Sequence, residues 1–326
     1  MTEISTISQN MTIAFLSRLS KSQQDVWLSK LTKTLPNFTI IAVDQLTDLE
    51  KRTCQVAIVA NPDVEDLMTL PKLKWVQSVW AGIDGIVSYM AKNGITPRFQ
   101  LSRLIDPNLA VTMSESVLLW CLYLHRDMHV YQAQQKLKQW QQIQFKFPQE
   151  THIGILGLGE LGKVSAVRLR QNGFKVSGWS KSAKTIEGIN CYAGEQGLYE
   201  LAASSDILLC LLPLTQQTAG IVNETLLNTL PEGAALINFA RGGLIDHSAL
   251  VNSLDNGKLS HAVLDVFEQE PLPSEAPFWQ HPNITVLPHI SAPTHPDTAV
   301  NIVAQNVSQY AESGALPPCI SFKLGY

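Results

Sequence analysis

Short apolar runs recur along the chain at intervals that predict parallel strands alternating with helices. Residues 12–17, 38–43, 56–60 and 73–79 each have the length and content of a buried strand. Between the first two, Val26, Trp27, Leu31 and Leu35 fall on one helical face over residues 23–35. A long helix, or two in series, spans residue 111 to about residue 140. Phe147-Pro148 then breaks the chain, and a second series begins. Its strands are predicted at 153–156, 175–179, 206–212, 234–239, 261–265 and 284–287. Its helices are predicted at 163–172, at 218–230, and from an Asp246 cap to Asn256, with a last helix at 296–311. Such alternation predicts an α/β chain of doubly wound parallel sheets.

One stretch carries more than a fold. Ile153, Ile155 and Leu156 form a strand, and Gly157, Gly159 and Gly162 follow with the spacing G-x-G-x-x-G before a helix that Gly173 ends. A strand, this loop and a helix N-terminus in that order form a dinucleotide cradle. Gly157 permits the tight turn, Gly159 leaves room for a pyrophosphate, and Gly162 lets helix and strand approach. Glu160 and Leu161, within the same loop, join the glycines as candidate cofactor-binding residues. The next strand ends Trp179-Ser180-Lys181-Ser182, with Lys184 close by and no acidic residue at the position that would grip ribose hydroxyls. A carboxylate there repels a 2′-phosphate, whereas hydroxyls and ammonium groups attract one. The loop therefore predicts NADP(H) in preference to NAD(H).

Length and charge narrow the partners. A chain of 326 residues exceeds what one hydrophobic core usually supports, so two domains are expected. With 16% charged residues and a net charge of −4, nothing favours nucleic acid or an anionic membrane surface. Residues 1–10 lack the apolar core of a signal peptide, and no run reaches membrane-span length. The five cysteines are scattered without a C-x-x-C pair, as in a reducing cytoplasm. His125 and His129 stand four apart, but no third ligand accompanies them, and no metal site is expected.

Three reactive side chains occupy one topological position. Arg241, Glu270 and His289 follow successive strands, so their loops open at the edge where the glycine loop opens. Hydride transfer to a 2-oxo acid needs such a set. A guanidinium fork holds the carboxylate, an imidazolium protonates the carbonyl oxygen, and a carboxylate orients the ring. In the first half, the turn Ala81-Gly82-Ile83 lies at a strand end and offers backbone N–H groups to a carboxylate.

Four segments now match a known pattern. Gly154-Ile-Leu-Gly-Leu-Gly-Glu-Leu-Gly162, Asn238-Phe-Ala-Arg-Gly-Gly-Leu-Ile-Asp246, Leu264-Asp-Val-Phe-Glu-Gln-Glu-Pro-Leu-Pro273 and Leu287-Pro288-His289-Ile290 resemble the D-isomer-specific 2-hydroxyacid dehydrogenase family. Trp179-Ser-Lys-Ser182, Phe278-Trp-Gln-His-Pro282 and the Leu-Gly-Tyr terminus resemble its glyoxylate/hydroxypyruvate reductase A branch. The resemblance implies Arg241 as substrate anchor, Glu270 as partner of the imidazole and His289 as general acid/base. It implies that Gly82 and Ile83 bind the substrate carboxylate. Asp265 would contact the nicotinamide carboxamide, Ala240 would lie close to that ring, and Leu212 and Pro213 complete the cofactor set. It also implies a flavodoxin-like substrate domain of residues 1–107 with 292–326, and a Rossmann domain of residues 108–291. A homodimer is implied as well, with Trp140 on a helical arm reaching the partner.

The reaction so implied is NADPH-dependent reduction of glyoxylate to glycolate and of hydroxypyruvate to D-glycerate. Ala60 stands where related reductases carry Trp, which keeps a broad or phenylpyruvate-type 2-ketoacid reductase as the alternative. A dinucleotide-sensing protein without turnover is the other class, and it would have no need of all three reactive side chains.

Overall fold

The strand runs are apolar on both faces, and this forces a layered solution in which helices cover both sides of each sheet. The computed structural model describes residues 11–325, so the reading of residues 1–10 lies outside the described residues. The chain divides into two compact units, Met1–Asp106 with Thr294–Tyr326, and Pro107–Pro293. These boundaries fall one and two residues from the expected ones.

The first unit runs β1 (Thr12–Ser17), α1 (Lys21–Thr34), β2 (Thr39–Ala42), α2 (Asp48–Thr53), β3 (Val56–Ala60), α3 (Val64–Met68), β4 (Trp75–Ser78), α4 (Asp84–Lys92) and β5 (Gln100–Ser102). Its sheet is parallel with order β2-β1-β3-β4-β5, the flavodoxin-like arrangement. One face packs Phe15, Ile58, Ala60 and Trp75 against α1 and a helix from the far end of the chain. The other packs Leu16, Val59, Ile83 and Met90. Side chains such as Leu31 and Ile58 are fully enclosed, each worth about 1.5–3 kcal/mol of burial.

The second unit runs α5 (Pro107–His125), α6 (Met128–Lys136), β6 (His152–Leu156), α7 (Glu160–Gln171), β7 (Lys175–Ser180), β8 (Asn190–Ala193), α8 (Gly194–Ala203), β9 (Ile207–Cys210), α9 (Glu224–Thr229), β10 (Ala234–Asn238), α10 (His247–Asp255), β11 (Leu259–Leu264) and β12 (Ile284–Val286). Its parallel sheet has the order β12-β11-β10-β9-β6-β7-β8. The order reverses direction between β6 and β9, which opens a crevice at the C-terminal strand ends.

The chain then returns to the first unit with α11 (Pro296–Ser313), whose Val300, Val303 and Val307 enter that unit's core. Asp297 pairs with Lys30 of α1. The tail docks through Ile320 N–H on the carbonyl of Leu101.

Several elements differ from the sequence expectation. The helix expected at 218–230 is only α9, because Thr218 Oγ1 bonds the Pro213 carbonyl and Gly220 takes φ +62°. Asn223 then caps the shortened helix through Leu226 N–H. The segment from 111 to 140 takes the second of its two expected forms, two helices in series, parted where Asp127 adopts φ +52°. His125 and His129 therefore share no helical face. His125 Nδ1 meets Thr151 Oγ1 at 2.8 Å, while His129 stacks on His261 at 4.7 Å. All five cysteines carry free thiols. Among the described residues no helix is long and apolar enough to cross a membrane.

Candidate active site

The glycine loop shows why each glycine is there. Gly157 has φ +108°, and a Cβ on it would lie 2.7 Å from the Leu211 carbonyl oxygen. A Cβ on Gly162 would lie 1.8 Å from the Gly157 carbonyl oxygen, so the first turn of α7 rests directly on the loop. A Cβ on Gly159 would meet no protein atom within 4 Å. The space above Gly159 is thus open, and Gly159 is also the N-cap of α7 with no side chain to occupy the helix N-terminus. A pyrophosphate fits that cradle on both steric and electrostatic grounds.

A cleft of about 260 Å³ adjoins the loop, lined in part by Leu158, Glu160, Lys163, Lys184 and Ile186. Lys184 Nζ donates to the Leu158 carbonyl at 2.7 Å, tying the basic loop to the glycine loop. Ser180, at the end of β7, is 7% exposed and donates its hydroxyl to the Ser182 carbonyl. Lys181 Nζ reaches Gln217 Oε1 at 2.6 Å. Gln217 had no signal in the sequence beyond its place in a polar turn. Leu212 and Pro213 follow β9, the strand next to β6 across the switch point.

The three reactive side chains hang from neighbouring strands. Arg241 follows β10, Glu270 follows β11 and His289 follows β12, and these strands are adjacent in the sheet. The loops touch backbone to backbone, since a Cβ on Gly242 would fall 2.1 Å from the Phe267 carbonyl carbon. His289 Nδ1 lies 2.7 Å from Glu270 Oε2. The other oxygen, Oε1, accepts the Phe267 N–H at 2.9 Å, which fixes the carboxylate. His289 itself sits at φ +54°. Both side chains stay partly open, 52% for His289 and 34% for Glu270, so the imidazole can still meet a ligand through Nε2. Arg241 Nη1 donates to the Ala240 carbonyl at 2.6 Å.

A profile of the D-isomer specific 2-hydroxyacid dehydrogenase NAD binding domain matches residues 118–291. Glyoxylate/hydroxypyruvate reductase A of Yersinia enterocolitica is 37% identical over 309 residues, covering 94% of this chain and 97% of that protein. The chain belongs to the D-isomer-specific 2-hydroxyacid dehydrogenase family. It is accordingly an NAD(P)-dependent 2-hydroxyacid oxidoreductase. Solved members of the family share its fold along the whole chain. One from Xanthobacter autotrophicus Py2, in complex with NADPH and MES, has a TM-score of 0.88 at 32% identity and covers 97% of this chain and 99% of its own. The NADPH-dependent glyoxylate/hydroxypyruvate reductase of Sinorhizobium meliloti, in complex with NADP and sulfate, has a TM-score of 0.87 at 31% identity and covers 97% and 100%.

Within this 2-hydroxyacid dehydrogenase, two buried residues shape the turns that carry the reactive side chains, a role the sequence reading did not assign to either. Asn238 is fully buried at the end of β10. Its Nδ2 donates to the Arg241 carbonyl and its Oδ1 accepts the Ala240 N–H, so it shapes the turn that carries the guanidinium. A polar residue closing an apolar strand was the available signal. Asp265 is the second. It is 2% exposed, and its carboxylate accepts the N–H groups of Ile290 and Ser291 at 2.7 and 2.9 Å, while its carbonyl accepts that of His289, so it clamps the His289 loop.

In the first unit, Gly82 and Ile83 form the turn between β4 and α4. Ile83 is the N-cap of that helix without any side-chain cap bond. Ala60 is 0% exposed inside the apolar cluster with Phe15, Ile58 and Val79. The residue presented at that strand end is Asn61.

Proposed function

We propose that this dehydrogenase reduces small 2-oxo acids, glyoxylate and hydroxypyruvate foremost, with NADPH as the preferred cofactor. The His289–Glu270 pair, held at 2.7 Å beside the Arg241 turn, carries the reading. Gly157, Gly159, Glu160, Leu161 and Gly162 hold the pyrophosphate, and bound NADPH supplies the hydride that arrives at the carbonyl carbon.

The chain's own groups do the rest. Arg241 receives the substrate carboxylate in its two-pronged fork and draws electron density from the carbonyl. In the first unit, the backbone of Gly82 and Ile83, at an open helix N-terminus, is suited to a carboxylate. His289 donates the proton from Nε2 to the carbonyl oxygen as charge develops there. Glu270 fixes the orientation of the ring through Nδ1.

The preference for NADPH rests on the end of β7. Ser180, Lys181, Ser182 and Lys184 present hydroxyls and ammonium groups where a carboxylate would refuse a 2′-phosphate. Ala60, in place of an aromatic side chain, keeps a broad or phenylpyruvate-type 2-ketoacid reductase as the alternative.

A homodimer completes the proposal. Leu119, Leu122, Met128, Leu137, Phe145 and Phe147 expose apolar side chains along α5, α6 and the following segment, and Trp140 is 97% exposed. A row of that kind marks a protein interface. Monomeric behaviour in analytical ultracentrifugation would remove the dimer.

The deciding experiment follows oxidation of NADPH and of NADH with glyoxylate, hydroxypyruvate and phenylpyruvate. Turnover of the first two with NADPH is expected, and Arg241→Ala should abolish most of it with NADPH binding intact. Equal loss of NADPH affinity in that variant would contradict the anchor role. NADPH binding without turnover of any of the three would return the protein to the sensing class.

A further inference from the structure

The C-terminal edge of the first sheet carries a polar device that the reaction above does not use. Asn61, the residue just after β3, adopts φ +50°. Arg18, just after β1, grips it at two points. Nε donates to the Asn61 carbonyl at 3.3 Å and Nη2 to its Oδ1 at 3.0 Å. The Arg18 N–H adds a third bond to the same carbonyl. Because a guanidinium only donates, Oδ1 must face it, and the amide cannot flip. Nδ2, with two N–H groups, then faces away and bonds no described residue. A turn that needed only a left-handed residue would not need its side-chain amide aimed.

The device stands beside the turn proposed to hold the substrate carboxylate. Val59 of β3 is level with Ser78 of β4, so Asn61 is level with Trp80, two residues before Gly82. Neighbouring strands are about 5 Å apart. Arg18 and Asn61 come two residues after Leu16 and Val59, which pack in the same apolar cluster as Ile83. Asp63 lies 3.7 Å from Arg18 Nη1 and balances its charge. The edge therefore suits a neutral hydrogen-bonding group better than a second anion.

We propose that Asn61 is a specificity-determining residue whose Nδ2 amide, aimed by Arg18, donates a hydrogen bond to the hydroxyl on C3 of a 2-oxo acid held at the Gly82–Ile83 turn. Arg18 is the positioning residue. The inference rests on the reductase reading and adds to it the selection of hydroxylated three-carbon acids over their deoxy counterparts.

The test compares kcat/KM for hydroxypyruvate, pyruvate and glyoxylate in the full-length protein, in Asn61→Gly and in Arg18→Ala. Glycine keeps the left-handed backbone and removes the amide. Pyruvate lacks only the hydroxyl, and glyoxylate has no C3 at all. In Asn61→Gly the hydroxypyruvate-to-pyruvate ratio should fall roughly 3- to 10-fold, the value of one hydrogen bond, with glyoxylate unchanged. Arg18→Ala should lower the same ratio by a smaller factor. A ratio that does not move in Asn61→Gly, or three substrates that decline together, overturns the role of Asn61 alone. An unaltered protein that reduces none of the three overturns the reductase reading, and this inference with it.

Discussion

Glu270 divides its carboxylate between two tasks: Oε1 accepts the Phe267 N–H and Oε2 meets His289 Nδ1. The first bond fixes the carboxylate so that the second can fix the ring. Glu270→Gln keeps the shape and removes the charge. The expected result is a fall in kcat of about 10- to 100-fold with 2-oxo acids, as for a general acid that has lost its orienting anion. NADPH affinity, read by fluorescence titration, should stay within about twofold. A kcat near that of the unaltered protein would mean that His289 works without this partner.

The glycine loop offers a pair of opposite outcomes from one chemical change. Gly162→Ala drives a methyl group to 1.8 Å from the backbone oxygen of Gly157, which has nowhere to move. The thermal midpoint and NADPH affinity should both drop, with a loss of stability above about 2 kcal/mol. Gly159→Ala meets no protein atom, so its stability should remain within about 0.5 kcal/mol while NADPH affinity falls. If Gly159→Ala binds NADPH as tightly as the parent, the cradle lies elsewhere.

Cofactor choice can be inverted at one position. Ser180→Asp puts a carboxylate at the end of β7, where it accepts ribose hydroxyls and repels a 2′-phosphate. The NADPH-to-NADH ratio of kcat/KM should fall at least about tenfold, through KM more than kcat. An unmoved ratio would make residues 180–184 an ordinary solvated turn.

Acid sensitivity should trace to a buried imidazole remote from the chemistry. His261 is 4% exposed and stacks on His129 at 4.7 Å. Burial, helped by the neighbouring imidazoles of His129 and His281, pushes its pKa from 6.5 down to about 3. His129, packed against it, is pushed down by burial as well. As pH falls below 6.5 the unfolded chain takes up a proton here, and the folded chain does not until about pH 3. Stability is therefore full above that window and drains away within it, by up to about 1.4 kcal/mol per pH unit. His261→Gln, which retains a partner for Thr285 Oγ1, should lose less urea-midpoint stability between about pH 7 and about pH 4.5 than the parent does. Equal losses would exonerate His261.

Some of this was written in the sequence, for reasons that particular residues make plain. The glycine spacing was legible because the tight turn at Gly157 and the close helix approach at Gly162 leave no room for a Cβ. Arg241, Glu270 and His289 were legible because each follows a strand, and strand order in a parallel sheet fixes which loops meet. The parts that hold them were not. Asn238 and Asp265 act through backbone groups of residues that only the folded turn brings near, and no spacing reports that. The short strands β5 and β8 escaped because edge strands of three and four residues carry no run long enough to read.

The first unit is assembled from both ends of the chain. Val300, Val303, Val307 and Tyr310 of α11 are buried in the cluster that contains Ile13, Phe15 and Trp75. On the ribosome Ile13, Phe15 and Trp75 are made long before the residues of α11. Residues 107–293 are contiguous and leave the exit tunnel as a finished set, so the nucleotide-binding unit can fold while translation continues. The sheet of the first unit, though made earlier, must wait with part of one apolar face uncovered until α11 appears. Nascent chains stalled before residue 296 should therefore recruit holding chaperones through their oldest segment.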